Sequence, residues 1–346
     1  MRLGLAGALA VTALALSAAS ASADPYAPPA GQVYEGINDT ASAQDFQDFA
    51  GLLGKPHLPI VQAFHTWGTD PQQALDRWKI YRARGVLSIS TARGWGLPEV
   101  ITPRQIAMGE GDDYLLSLNS RIARSSEITY IRPLAEPNNS HNAYSAVSLT
   151  GAAKGGDHTQ AWYRLAWRRM YVIVKGGDTR AAIDQRLATL GLPAIQQTGK
   201  AVLPDALPAP QVAFIWCPIV YGSPNVRANR PQKYWPGPAY VDWVGTDTYS
   251  KYPAFRYLSR HYRTFGGKPF AIGEWGVEER DNPLFVKHLF RWQRKHRRVR
   301  MMIYHMSFVG RSGPLSLYRW PQSSAMARLQ VRSPFAYPAY APELAP

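Results

Sequence analysis

Eight short apolar runs, each followed by a stretch with helical spacing, recur along this chain of 346 residues. Residues 33–38 form the first run. Ser42 then offers an N-cap to a helix over 43–53, where Phe46, Phe49, Leu52 and Leu53 recur at three- and four-residue spacing. A second strand is expected over 58–64, ending at His65, Thr66 and Trp67. Asp70-Pro71 opens a helix expected to run to Arg84 and stop at Gly85. Residues 86–90 read as the third strand, with Arg93 and Trp95 just beyond, and a helix over 112–124 leads to the fourth, 128–135. A polar, Gly-rich loop over 138–158 has the length of an active-site wall and precedes a helix over 160–175. Residues 176–210, punctuated by Pro and Gly, read as an elaboration with one short helix over 179–190. Strands are expected at 211–216, 242–247, 268–273 and 301–305, and helices over 254–265, 283–296 and 322–329. This alternation predicts an α/β protein with a single (β/α)8 TIM barrel. A doubly wound open sheet would alternate in the same way, but Gly36-Ile37-Asn38-Asp39 lacks the Gly-rich phosphate loop of that class.

In such a barrel the functional groups gather at the C-terminal ends of the strands. Those ends carry Glu136 and Glu274, each following an apolar strand, together with Asn38, His65, Trp67, Arg93, Trp95, Asn138, Trp216, Asp247, Tyr249, Trp275 and His305. Flat rings and fork-like polar groups suit a sugar site, and two facing carboxylates are the minimum equipment for glycoside hydrolysis. Two structural carboxylates held by arginines would produce the same spacing. The histidines show no metal-ligand spacing and one cysteine cannot build a zinc site, so neither a metal nor another cofactor is expected.

Met1-Arg2, an apolar stretch over 3–16 and Ala21-Ser22-Ala23 read as a secretory signal peptide over 1–23. An N-terminal lead (24–32), the barrel domain (33–335) and a C-terminal tail (336–346) follow. The apolar stretch is shorter than the ~20 residues a bilayer span needs, so secretion by bacterial export is expected and integral membrane association is not. With Cys217 alone, no internal disulfide can form and the core must supply the stability. The formal charge of +15 favours contact with acidic wall polymers and other polyanions. The densest basic run, 291–300, reads as the solvated outer face of a helix. No nucleic-acid-binding signature accompanies the charge, so no nucleic-acid partner is expected.

At these residues the chain resembles the clan A glycoside hydrolases, and among them the family 26 β-mannanase-like group. That family carries its acid/base in a fourth-strand motif, Arg-Pro-x-His-Glu-x-Asn, which Arg132-Pro133-Leu134-Ala135-Glu136-Pro137-Asn138 matches at Arg, Pro, Glu and Asn. Gly273-Glu274-Trp275-Gly276 is similar to its nucleophile motif. The sixth-strand pattern ending in Asp247 and Tyr249 resembles the segment whose tyrosine bonds the nucleophile. The resemblance implies retaining double displacement on a β-linked polysaccharide, with Glu274 as nucleophile and Glu136 as acid/base. Arg132, Asn138, Tyr249, His65, Trp67, Trp95, Trp216, Trp275 and His305 would contact substrate or support the site. Arg132 and Tyr249 are the donors expected for Glu274. Two departures stand out. Ala135 occupies the place of the family's histidine, and the tryptophan usual after the eighth strand has only His305 or Phe308 in its region. Ala135 removes a sugar contact that normally strengthens in the transition state. A non-catalytic or weakly active carbohydrate-binding barrel of the cell envelope is therefore the alternative expectation.

Overall fold

Side chains alternate between the two faces of a strand, so a strand buried on both faces must be apolar throughout. Most positions of the eight barrel strands follow that rule: β1 (Tyr34–Asn38), β2 (Ile60–Thr66), β3 (Arg84–Ser90), β4 (Thr129–Pro133), β5 (Val212–Trp216), β6 (Trp243–Tyr249), β7 (Phe270–Gly276) and β8 (Val299–Tyr304). The computed structural model describes residues 26–38, 42–94, 96–196, 203–306 and 310–331. The expected signal peptide and C-terminal tail, Trp95 and Phe308 lie outside them. All eight strands pair in parallel with their sequence neighbours, and β8 closes on β1, giving a (β/α)8 barrel. One parity of side chains fills the interior, with Ile60, Val86, Tyr130, Ile215, Trp243 and Ile303 among them. The other parity, including Ile37, Val61, Ile131, Phe214, Val244 and Ile272, packs outward in the main core shared with the helices. Each large apolar side chain buried in this way contributes about 1.5–3 kcal/mol.

The helices are α1 (Ala43–Leu52), α2 (Gln72–Tyr81), α3 (Pro103–Met108), α4 (Asp112–Ser125), α5 (Gln160–Lys175), α6 (Arg180–Thr189), α7 (Phe255–Thr264), α8 (Pro283–Lys295) and α9 (Pro321–Val331). Ser42 caps α1 by accepting from the Asp45 amide at 3.1 Å. The short α3 was not expected; a capping box between Thr102 and Gln105 starts it. Buried Arg169 of α5 grips Asp112 at the start of α4, its Nε donating to Oδ1 at 2.7 Å. The elaboration between α5 and β5 contains α6 and a two-stranded pair, Asp178–Thr179 with Ala206–Leu207. Among the described residues no helix is long and apolar enough to cross a membrane.

Several boundaries differ from expectation by a few residues, and at the second helix the cause is local. The second helix ends at Tyr81 because Arg82 adopts the left-handed conformation (φ 53°), and β3 begins at Arg84. Gly85 is therefore a strand residue, where a Cβ would run into the Trp78 ring of α2. At the other end of the barrel, β6 and β7 extend to Tyr249 and Gly276. Asp247, Tyr249 and Glu274 thus project from ladder-bonded backbone.

Candidate active site

The site is built on Arg132, an inward-pointing residue of β4 that is 1 % exposed. Its Nη1 donates to Oε1 of Glu274 at 2.5 Å and to Ser88 Oγ at 3.3 Å, while Nη2 donates to Oδ2 of Asp247. Tyr249, two residues beyond Asp247 on the same face of β6, donates its hydroxyl to Oε2 of Glu274. His305 lies beside them, its Nδ1 4.0 Å from the same oxygen. The two donors expected for Glu274 therefore both reach it.

Glu274 is aimed by an irregularity in β7. Thr246 pairs with Ile272, but Asp247 pairs with Glu274, so Gly273 is the extra residue of a bulge. A side chain there would approach Cys217 Sγ to 2.9 Å, and Arg132 Nε and Asp247 Oδ1 each to 3.0 Å. Glycine at 273 is what lets the charged cluster close over the strand.

Glu136 is held by its backbone. Its amide donates to the Cys217 carbonyl at 2.6 Å, and its φ of 50° and the φ of 46° at Leu134 are both left-handed. Non-glycine residues adopt that region at a cost and persist there when their surroundings fix them. Asn142 Nδ2 donates to the Glu136 carbonyl at 3.0 Å, and the Tyr144 hydroxyl donates to that of Ala135. The Glu136 carboxyl accepts from Asn139 Nδ2 at 2.8 Å and lies close enough to Asp247 for the two to influence each other's charge.

Three carboxyls thus surround one guanidinium. Burial, reinforced by the negative charge of Glu274, pushes Glu136 above the usual carboxylate range, and the same two causes raise Asp247 against the pull of Arg132. Burial acts on Glu274 in the same sense, but Arg132, His305 and the Tyr249 hydroxyl outweigh it and hold this carboxyl below the usual range. Neighbouring carboxyls pushed apart in this way can divide acid and base roles between them.

The other residues expected at the site fall into two groups. Arg132, Tyr249 and His305 join the cluster. Asn138, His65, Trp67, Trp216 and Trp275 are directed elsewhere, which corrects their expected place at the sugar. Asn138 is fully buried and staples the next loop, bonding both the amide and the carbonyl of Ile219 at 2.9 and 2.7 Å. Trp216 is wholly buried against Trp235, His261 and Phe265. Trp275 packs outward on Phe290 and Tyr304. His65 and Trp67 lie against Tyr114 of α4. The reason in each strand is parity: a residue adjacent to an inward one points out. On β2 the inward residue at the mouth is Phe64, 37 % exposed and edge-on to His305 with ring centroids 5.3 Å apart. Phe64 is the aromatic surface sequence reasoning missed, although counting in twos from Ile60 would have found it. Asp247, expected among the strand-end groups and in the sixth-strand motif without an assigned role, is the third carboxyl of the cluster.

No family model matches the sequence, and no curated protein matches it. Solved structures do match in fold. A glycoside hydrolase family 26 protein of Muricauda sp. aligns at 15 % identity over 89 % of this chain and 92 % of that one, with a TM-score of 0.56. A double mutant of the Cellulomonas fimi endo-β-1,4-mannanase aligns at 14 % identity over 90 % and 73 % (TM-score 0.58). The Bacteroides ovatus family 26 β-mannanase aligns at 14 % over 89 % and 91 % (TM-score 0.53). At this identity the likeness establishes a shared fold, the (β/α)8 barrel.

Proposed function

We propose that the protein is an exported retaining glycoside hydrolase that cleaves a β-linked polysaccharide, mannan-type or a related β-glycan, by double displacement. The observation that carries this reading is the pair of carboxyls at the ends of β4 and β7: Glu136 pushed above the usual carboxylate range, and Glu274, bonded by Arg132 and Tyr249, held below it. The mannanase fold neighbours and the order of the strand-end motifs support it. Glu274 attacks the anomeric carbon while Glu136 delivers its proton to the leaving oxygen. Loss of the Glu274 charge in the glycosyl-enzyme removes part of what held Glu136 protonated. Glu136 then accepts a proton from water, which attacks the same carbon and releases Glu274. Arg132 and Tyr249 orient the nucleophile, and Phe64 and His305 border the space where the reacting sugar sits. The carboxyls perform both half-reactions, so the reading requires no cofactor. Export rests on the N-terminal 23 residues.

Ala135, small and apolar beside the acid, favours a second reading in which the barrel binds glycan and turns it over poorly or not at all. Reducing-end release from a panel of β-mannans, β-glucans and xylans separates the two, with product anomers followed by NMR. Cleavage with initial release of the β-anomer is expected. Binding without cleavage across the panel establishes the second reading, and initial α-anomer shows inversion.

A further inference from the structure

At the mouth of the barrel Arg132 is paired with Asp247 and Glu274, whereas the cations on the outer face of two adjacent helices form no ion pair among the described residues. Arg256, Arg260 and Arg263 of α7 lie at helical spacing i, i+4, i+7, and Lys287, Arg291 and Lys295 of α8 at i, i+4, i+8. All six are exposed, and none forms an ion pair among the described residues. Neither helix contains Asp or Glu, and after Asp281 the next acidic residue is Glu343. The helices meet through side chains at two places: Trp292 Nε1 donates to Ser259 Oγ at 2.9 Å, and Phe255 meets Phe285 with ring centroids 6.0 Å apart. Their rows of cations therefore form one face, with charges about 6 Å apart along each helix and rows about 8–10 Å apart. Like charges at i, i+4 destabilise a helix, so folding alone does not call for this pattern.

The α7 row begins in a cavity of about 390 Å³ at the strand-end rim, lined by Tyr221, Tyr252 and Tyr257 together with Arg256 itself. Tyr252 and Tyr257 are 60 % and 43 % exposed, and Tyr221 meets Tyr257 edge-on at 5.3 Å. Tyrosines placed so offer apolar faces with polar tips, the surface on which a sugar ring stacks.

We propose that this face binds an acidic polysaccharide, its carboxylates running along the two cationic rows and its sugar rings entering the tyrosine cavity. Four of the six cations are arginines, whose guanidinium matches a carboxylate with two parallel hydrogen bonds. The exposed apolar residues of this face, Tyr257 and Leu284, sit at the helix starts, leaving no apolar stripe to enter a bilayer. The site is separate from Glu136 and Glu274 and stands whether or not they cleave a glycan.

The test is titration of the full chain with polygalacturonate at ~0.1 M salt, where exposed charges still act over ~10 Å. One triple variant carries Arg260→Glu, Arg291→Glu and Lys295→Glu. A control reverses three exposed cations elsewhere, Lys79→Glu, Arg124→Glu and Arg328→Glu, with the same change in net charge. A loss of affinity about tenfold greater in the first than in the control is expected, and Tyr252→Ala with Tyr257→Ala should weaken binding further without changing its salt dependence. Equal losses in the two triple variants, or no binding by the wild type, would overturn the proposal. Tighter binding to duplex DNA or to phosphatidylglycerol vesicles, abolished by the same variant, would overturn the choice of polysaccharide.

Discussion

Arg132 of β4 donates Nη1 to Oε1 of Glu274 on β7 at 2.5 Å, and the two are 142 positions apart in the chain. The same guanidinium also pairs with buried Asp247. Replacing Arg132 by methionine, similar in length and uncharged, leaves Asp247 and Glu274 without a counter-charge. Arg132→Met should lower the unfolding free energy by about 3–5 kcal/mol. Urea titration measures this, and a loss below about 1 kcal/mol would show that Arg132 does not hold the cluster together.

Tyr249→Phe removes a donor from the ionised Glu274. Burial acts to raise the pKa of Glu274, so fewer opposing contacts leave it higher. The proposed reaction needs Glu274 ionised and Glu136 protonated, giving a bell-shaped profile. Its acid limb should move to higher pH in the variant while the alkaline limb, set by Glu136, stays. The stability contributed by the depressed Glu274 pKa is present above the unfolded value of about 4.3 and is lost as pH falls through the folded one. In Tyr249→Phe that contribution is smaller, and its loss is complete at a higher pH. An unmoved acid limb rules out the assignment of Tyr249.

Glu136→Ala and Glu274→Ala should each abolish cleavage of polysaccharide with little change in Tm, because strand-mouth carboxyls serve the reaction more than the core. On an aryl glycoside with a good leaving group they should diverge. Glu136→Ala still forms the glycosyl-enzyme and is rescued by azide; Glu274→Ala is not. Equal behaviour of the two variants on that substrate would refute the division of roles.

Gly273→Ala tests the bulge. Its Cβ would crowd Cys217, Arg132 and Asp247 at 2.9–3.0 Å, so the guanidinium or the strand must shift. A cost of about 1–3 kcal/mol in stability is expected, with a fall in kcat larger than any change in KM. Wild-type kcat in this variant would mean that the approach of strand to cluster is not needed.

Glu35 of β1 is buried under the helices, and burial pushes its carboxyl up to about 8, with Lys55 opposing weakly. The folded chain then binds a proton that the unfolded chain has released, so stability falls as pH rises from about 4.5 through about 8. Glu35→Gln should flatten that fall between pH 5 and pH 8, read from urea midpoints of both proteins. Parallel curves would sink this account.

How far the sequence could be read followed from whether a feature is local. The helix start at Ser42 is legible because a cap depends on three or four consecutive residues. Gly85 misled because glycine after a helix resembles a stop signal, when its role is to admit Trp78 from the neighbouring layer. Tryptophans at strand ends suggested sugar platforms, but their neighbours in sequence took the inward positions.

The eight strand-and-helix units, the barrel they imply and the two glutamates at the strand ends were determined by the sequence alone. All of them are written in short runs of adjacent residues, where periodicity and turn chemistry act. The bonding of Asp247 to Arg132 beside Glu274, the bulge at Gly273 and the exposure of Phe64 were decided only by the tertiary structure. They depend on the register between strands far apart in the chain, where a shift of one residue exchanges the inward side chain for the outward one.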